Sequence, residues 1–81
     1  MPRADKTLDQ MRANPRDWRI GSLEAVAAAH GINIRKPGVS HVVFEHAAVA
    51  EAVSVPARRP IKPVYVRRFV AFIEAVRASH E

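Results

Sequence analysis

Imidazole is the side chain best matched to proton transfer near neutral pH, with an unperturbed pKa of about 6.5. This 81-residue chain has four histidines. His30 lies just ahead of Gly31 and reads as a charge partner at a helix C-terminus. His80 reads as a solvated residue beyond the last helix, and His46, beside a turn, as structural or solvated. His41 is different. It follows the turn Pro37-Gly38-Val39-Ser40 and opens the apolar run Val42-Val43-Phe44, which puts it at a strand start, exposed and near cations. Such an imidazole suits general acid–base chemistry at a phosphodiester. A base removes the 2′-hydroxyl proton, cations stabilise the charge that develops on the phosphorane, and no metal is needed.

Residue types exclude several other chemistries. Without cysteine there is no disulfide framework, thiolate nucleophile or sulfur-ligated metal. The chain has no Gly-rich phosphate loop, no His-x-x-x-His pair on a helix and no serine nucleophile elbow. His41 and His46 are five apart on one strand and point to opposite faces, so they do not chelate one metal between them. The carboxylates are scattered rather than paired for glycosidase-type work. Neither a metal nor a cofactor is expected.

The charge is concentrated. There are 13 Lys or Arg against 8 Asp or Glu, a formal net charge of +5. Residues 1–34 hold five basic and four acidic side chains, residues 35–68 seven and two, and residues 69–81 one and two, giving balances of +1, +5 and −1. The middle stretch owes its excess to Arg35, Lys36, Arg58, Arg59, Lys62, Arg67 and Arg68, and a polyanion is expected there. Of these, Arg35, Lys36, Arg58, Arg59 and Lys62, together with Ser40, are the candidate RNA contacts. Prolines stiffen the loop Arg58-Arg59-Pro60-Ile61-Lys62, so its cations are held in place before a ligand arrives. Trp18 and Tyr65 are able to stack on bases, although packing at the core or its rim is the commoner fate of such rings.

The elements that position these residues are legible from periodicity. Asp5 or Thr7 caps a first helix in which Leu8 and Met11 share a face, ending at Asn14-Pro15 because the residue before proline is pushed out of the helical region. Trp18 and Ile20 follow as apolar anchors. Ser22 is the expected N-cap of a second helix over Leu23–His30, with Leu23, Val26 and Ala27 inward and Gly31 as the stop. From residue 32 the period falls to two: Ile32 and Ile34, then the turn Lys36-Pro37-Gly38, then a strand His41–His46, then Ala52–Val55 ending at Pro56. Short connections imply an antiparallel meander. Pro63 opens a last helix running to about Ala78, whose stripe is Val66, Phe69, Val70, Ile73 and Val76.

The expected fold is therefore α+β, of order α-α-β-β-β-α, with helices packed on one face of a three-stranded antiparallel sheet and the other face open. Val42 and Phe44 then face the helices, while His41, Val43 and Glu45 face away. A chain of this length buries roughly 60–65% of its unfolded surface, enough for one domain with one modest core and little for a large cavity. The core is expected over residues 14–77, with residues 1–13 as a helical extension. No apolar run suggests a signal peptide or membrane span, so a cytoplasmic protein without a membrane partner is expected.

Several pieces in order resemble the HicA family of bacterial toxin–antitoxin ribonucleases. They are Asn14-Pro15 with Trp18 ahead of a helix, Gly31-Ile32 entering a strand, Pro37-Gly38-Val39-Ser40-His41 leading a second, Val55-Pro56 closing a third, and Arg59-Pro60-Ile61-Lys62-Pro63 opening the last helix. The resemblance spans residues 14–76. It implies a fold related to the double-stranded RNA-binding domain, ribosome-independent cleavage of mRNA, neutralisation by a HicB-type antitoxin, and a catalytic role for the histidine after Gly-x-Ser, here His41. Two other classes are compatible with the same cations: a non-catalytic RNA-binding module and an interaction domain for an acidic protein. Four phosphate contacts to single-stranded RNA give a log–log salt slope of about −2.8 in either RNA-binding case. Only the enzyme yields 2′,3′-cyclic phosphate or 3′-phosphate ends in the presence of chelator.

Overall fold

A computed structural model describes residues 3–58 and 60–79. The elements are α1 (Arg3–Ala13), α2 (Ile20–Ala29), β1 (Asn33–Arg35), β2 (His41–His46), β3 (Val49–Pro56) and α3 (Pro63–Ala78), with the strands in sheet order β1-β2-β3, all antiparallel. The expected α+β order and meander are found, and β2 and α3 have the bounds that the periodicity predicts.

The helix starts differ from expectation. The first helix begins ahead of Asp5 and Thr7, so Asp5 lies in its first turn, where a carboxylate favours the helix dipole, rather than at a cap. Leu8 and Met11 are fully buried. Arg12 fastens α1 to α3, bonding Asp9 at 2.7 Å and Glu74 at 3.3 Å. The hydrogen bond to Asp9, followed by the charge of Glu74, raises the Arg12 pKa above its ordinary value. In α2 the helix starts at Ile20, and Arg19 precedes it in extended conformation with no side-chain cap. Ser22, the expected cap, is instead in the first turn with its N–H on the Arg19 carbonyl. Ile20 is partly buried against the core, and a start at this residue keeps that contact without the cap, whose contribution is about 1 kcal/mol.

The end of α2 follows the sequence signal closely. Gly31 has φ +70, its N–H reaches the Ala28 carbonyl at 3.3 Å, and the Ile32 N–H reaches the Ala27 carbonyl at 3.0 Å. This is the paired bond set of a Schellman stop, and Ile32 and Ala27 are both buried, supplying its hydrophobic contact. Space for a methyl group exists at Gly31, so the backbone angle alone sets the cost of adding one. Gly31→Ala is expected to lower stability by about 1 kcal/mol, which calorimetry reads as a fall in Tm of roughly 4–8 °C. An unchanged Tm contradicts this account of the stop.

The sheet's register divides its two faces. Ile34 pairs with Phe44, Phe44 with Val53, and Val42 with Val55, all toward the helices. Phe44 meets Phe69 of α3 edge-on, with ring centroids 4.9 Å apart. The α3 stripe is buried as expected, joined by Phe72. Arg35, Val43 and Ser54 share the opposite face, where Val43 is still buried because the central strand gives it a register neighbour on each side. The third strand begins at Val49, three residues before the expected Ala52. A register shift between Phe44 and His46 breaks the period-2 pattern there, and the hairpin narrows to Ala47-Ala48, where the Ala48 N–H donates to His46 Nδ1 at 3.0 Å. That bond gives the glycine-free turn its closure. No helix among the described residues is long and apolar enough to cross a membrane.

Candidate functional site

Three chain segments converge beside the start of β2 and enclose a surface groove of about 1080 Å3. One is Arg16-Asp17, between α1 and α2. The second is Val39-Ser40-His41, entering β2. The third comprises Pro56 at the end of β3 with Ala57 and Arg58, then Pro60, Ile61 and Lys62 leading into Pro63 and Tyr65 in the first turn of α3. Most of the lining is exposed and only Ile61 is fully buried, so the groove lies on the surface and takes no room from the core.

Local chemistry makes each segment bend where it does. Pro15 follows the end of α1, and the Arg16 N–H then donates to Asn14 Oδ1 at 3.2 Å, the side-chain-closed turn that asparagine favours. Asp17 sits at φ 64, which turns the chain back toward the sheet. Trp18, half-buried against the core, donates from its indole Nε1 to the Asn14 carbonyl at 2.6 Å. It is therefore a packing residue. Its own carbonyl accepts the Ile61 N–H at 2.8 Å, bridging residues far apart in sequence. A second bridge, from the Ala57 N–H to the Ser40 carbonyl at 2.9 Å, holds the β3–α3 connection against the strand that begins with His41. Buried Ile61 thus pins a loop whose flanking residues Arg58, Pro60 and Lys62 remain exposed.

His41 stands exposed at the first position of β2, opposite Pro56 and on the face away from the helices. Its Nδ1 is 3.1 Å from Ser40 Oγ. If Nδ1–H donates, Nε2 keeps the free lone pair of a general base. Once Nε2 has taken up a proton the ring is an imidazolium able to act as a general acid, both ring nitrogens donate, and Ser40 Oγ still accepts from Nδ1–H. The same contact thus serves both halves of a proton-transfer cycle.

The expected cations divide. Arg58 and Lys62 line the groove with His41 and Ser40, and neither enters an ion pair among the described residues. Arg35 and Lys36 do not line it. Glu45 holds Arg35 at 3.2 Å and Glu24 holds Lys36 at 2.7 Å, pairings between residues distant in sequence. Arg59 and His80 lie outside the described residues. His30 behaves as a helix-end residue, with Nδ1 2.9 Å from the Val26 carbonyl and Nε2 3.4 Å from Asp5. Arg16 and Asp17, which charge counting by segment passes over, join the groove, and Tyr65 contributes its ring while also packing against the core. The sequence signal for Arg16 and Asp17 is the Asn14-Pro15 break that precedes them. Among the described residues no cluster of histidine and carboxylate side chains is arranged to hold a metal ion.

With three cations, one carboxylate, an imidazole and the hydroxyls of Ser40 and Tyr65 on one open surface, the groove combines positive charge suited to an anion with a ring able to transfer protons. No protein-family model, curated protein or solved structure matches this chain.

Proposed function

We propose that this protein is a metal-independent endoribonuclease that cleaves mRNA without the ribosome, acting as the toxin of a HicAB-type toxin–antitoxin system in the cytoplasm. One observation carries the proposal: exposed His41, hydrogen-bonded through Nδ1 to Ser40, shares a groove with three cations, Arg16, Arg58 and Lys62, none of which enters an ion pair among the described residues. In the proposed reaction His41 Nε2 takes the 2′-hydroxyl proton, the 2′-oxygen attacks phosphorus, and the bond to the 5′-oxygen breaks. The leaving oxygen takes up a proton from water and departs as a 5′-hydroxyl, leaving a 2′,3′-cyclic phosphate, and the imidazolium returns its proton to solvent. The groove cations offset the extra negative charge of the phosphorane, where fixed positive groups act most strongly. A HicB-type antitoxin is the proposed partner, neutralising the enzyme by covering this groove.

The test is incubation of the purified chain with RNA in the presence of chelator, followed by end-group analysis. Products with 2′,3′-cyclic phosphate or 3′-phosphate ends support the proposal; intact RNA that is nonetheless bound turns the protein into a non-catalytic RNA module. The absence of any RNA shift at low salt favours an acidic protein as the partner.

The division of the cations gives a separate expectation. Each phosphate contact on single-stranded RNA adds about 0.7 to the log–log salt slope. Arg58→Ala and Lys62→Ala are each expected to flatten that slope by about 0.7, and Arg35→Ala and Lys36→Ala to leave it nearly unchanged, since Glu45 and Glu24 already hold those charges. Fluorescence anisotropy across a salt series measures it. Equal flattening by all four variants places the RNA across the sheet face instead of along the groove.

A further inference from the structure

Asp17 is the one carboxylate among the residues lining the groove. It is exposed, takes part in no hydrogen bond or ion pair among the described residues, and is the only described non-glycine residue in the left-handed region, at φ 64. The turn closed by Asn14 and the bridge from Trp18 to Ile61 hold it at the groove wall. A carboxylate beside a track for phosphates repels them, so it must face a part of the ligand that donates hydrogen bonds. In single-stranded RNA those donors are the 2′-hydroxyls and the base edges, and only a base edge can offer two neighbouring donor atoms to one carboxylate.

An ionised aspartate only accepts, through two oxygens side by side. Guanine is the base that answers this geometry, because N1–H and N2–H2 are two adjacent donors. Cytosine, adenine and uracil each offer a single donor position on that edge, next to an acceptor that a carboxylate repels. Tyr65 adds an aromatic surface to the same groove, and Arg68, which is not among the lining residues, places its guanidinium over that ring at 5.8 Å. A ring held in this way is a platform for stacking a base.

We infer that the groove contains a guanine subsite in which Asp17 accepts from N1–H and N2–H2 while Tyr65 stacks on the base, beside the phosphate presented to His41. This rests on the ribonuclease assignment and adds to it the base the enzyme selects.

The experiment uses short oligouridine strands carrying a single G, A or C, in two forms. Unmodified strands report cleavage in chelator. Strands with 2′-O-methyl groups lack the nucleophilic hydroxyl and report binding alone. Wild type is expected to favour the G strand in both, and Asp17→Asn to reduce that preference by roughly 5- to 150-fold, the discrimination of one bidentate side chain–base pair. Asp17→Gly should do the same, and because glycine accepts φ 64 without strain it keeps the turn. Tyr65→Ala weakens all strands alike, whereas Tyr65→Phe does not. Cleavage without a G preference, or a preference that survives both Asp17 variants, overturns the subsite and leaves the nuclease standing. A G preference in binding with no cleavage keeps the subsite and removes the nuclease. Neither preference nor cleavage removes both.

Discussion

His41→Ala is expected to slow RNA cleavage by about 10²- to 10⁴-fold, the usual contribution of one positioned acid–base group. The ring is exposed and bonds only to Ser40 Oγ among the described residues, so its removal leaves no buried polar group unpaired. The stability change should stay within about 0.5 kcal/mol, the range of ordinary surface substitutions. Melting temperature and RNA affinity are therefore expected to remain near wild type while the rate collapses. Induced in cells, wild type should arrest growth and the alanine variant should not. If the purified variant cleaves at the wild-type rate, the imidazole is not the proton carrier and the assignment of His41 fails. Ser40→Ala is a milder case: the imidazole stays and only the bond that orients it is lost, so activity should fall by less than in His41→Ala.

How much of this was legible in the sequence depended on how far apart the cooperating residues are. His41 was legible because a proline–glycine turn and an apolar strand are neighbours in the chain, and period-2 alternation then fixes which way the ring points. The last helix was legible for the same reason, its Pro63 start and apolar stripe lying within one continuous segment. The start of α2 was not, because the helix begins at Ile20, ahead of the local capping signal at Ser22, and the contact of Ile20 is one that only the assembled core supplies. The start of β3 was hidden by the register shift beside His46, since a bulge interrupts the alternation by which strands are recognised.

The site shows the same division. Arg35 and Lys36 look like phosphate ligands because they precede His41 closely in sequence, yet Glu45 and Glu24 reach them from a neighbouring strand and from α2. Arg16 and Asp17 sit in a segment whose charges nearly cancel, and the bond between Trp18 and Ile61 brings that segment to the groove. Counting charge by chain segment finds the cationic stretch but not which of its members are ion-paired, because pairing is decided by tertiary neighbours. Arg58 and Lys62 survive the change of view because they flank Ile61, the anchor that fixes their loop.

Phe44→Ala is expected to have the largest effect on stability. Phe44 is fully buried in the central strand, paired across to Ile34 and Val53, and its ring meets Phe69 edge-on at 4.9 Å. Truncating a buried phenylalanine to alanine costs about 3–5 kcal/mol in lost transfer energy and residual cavity. For 81 residues the whole folding free energy is roughly 4–12 kcal/mol. The variant should therefore be partly or wholly unfolded at 37 °C and lose RNA cleavage along with its cooperative melting transition. Phe44→Leu, which keeps most of the volume, should melt cooperatively at a lower temperature and remain active below it. A cooperative transition in Phe44→Ala within about 1 kcal/mol of wild type would show that the sheet does not pack on α3 through this ring. The contrast with His41→Ala follows from the strand itself. Alternation places the two residues on opposite faces of β2, so one change removes chemistry from an intact fold and the other removes the fold that holds the chemistry in place.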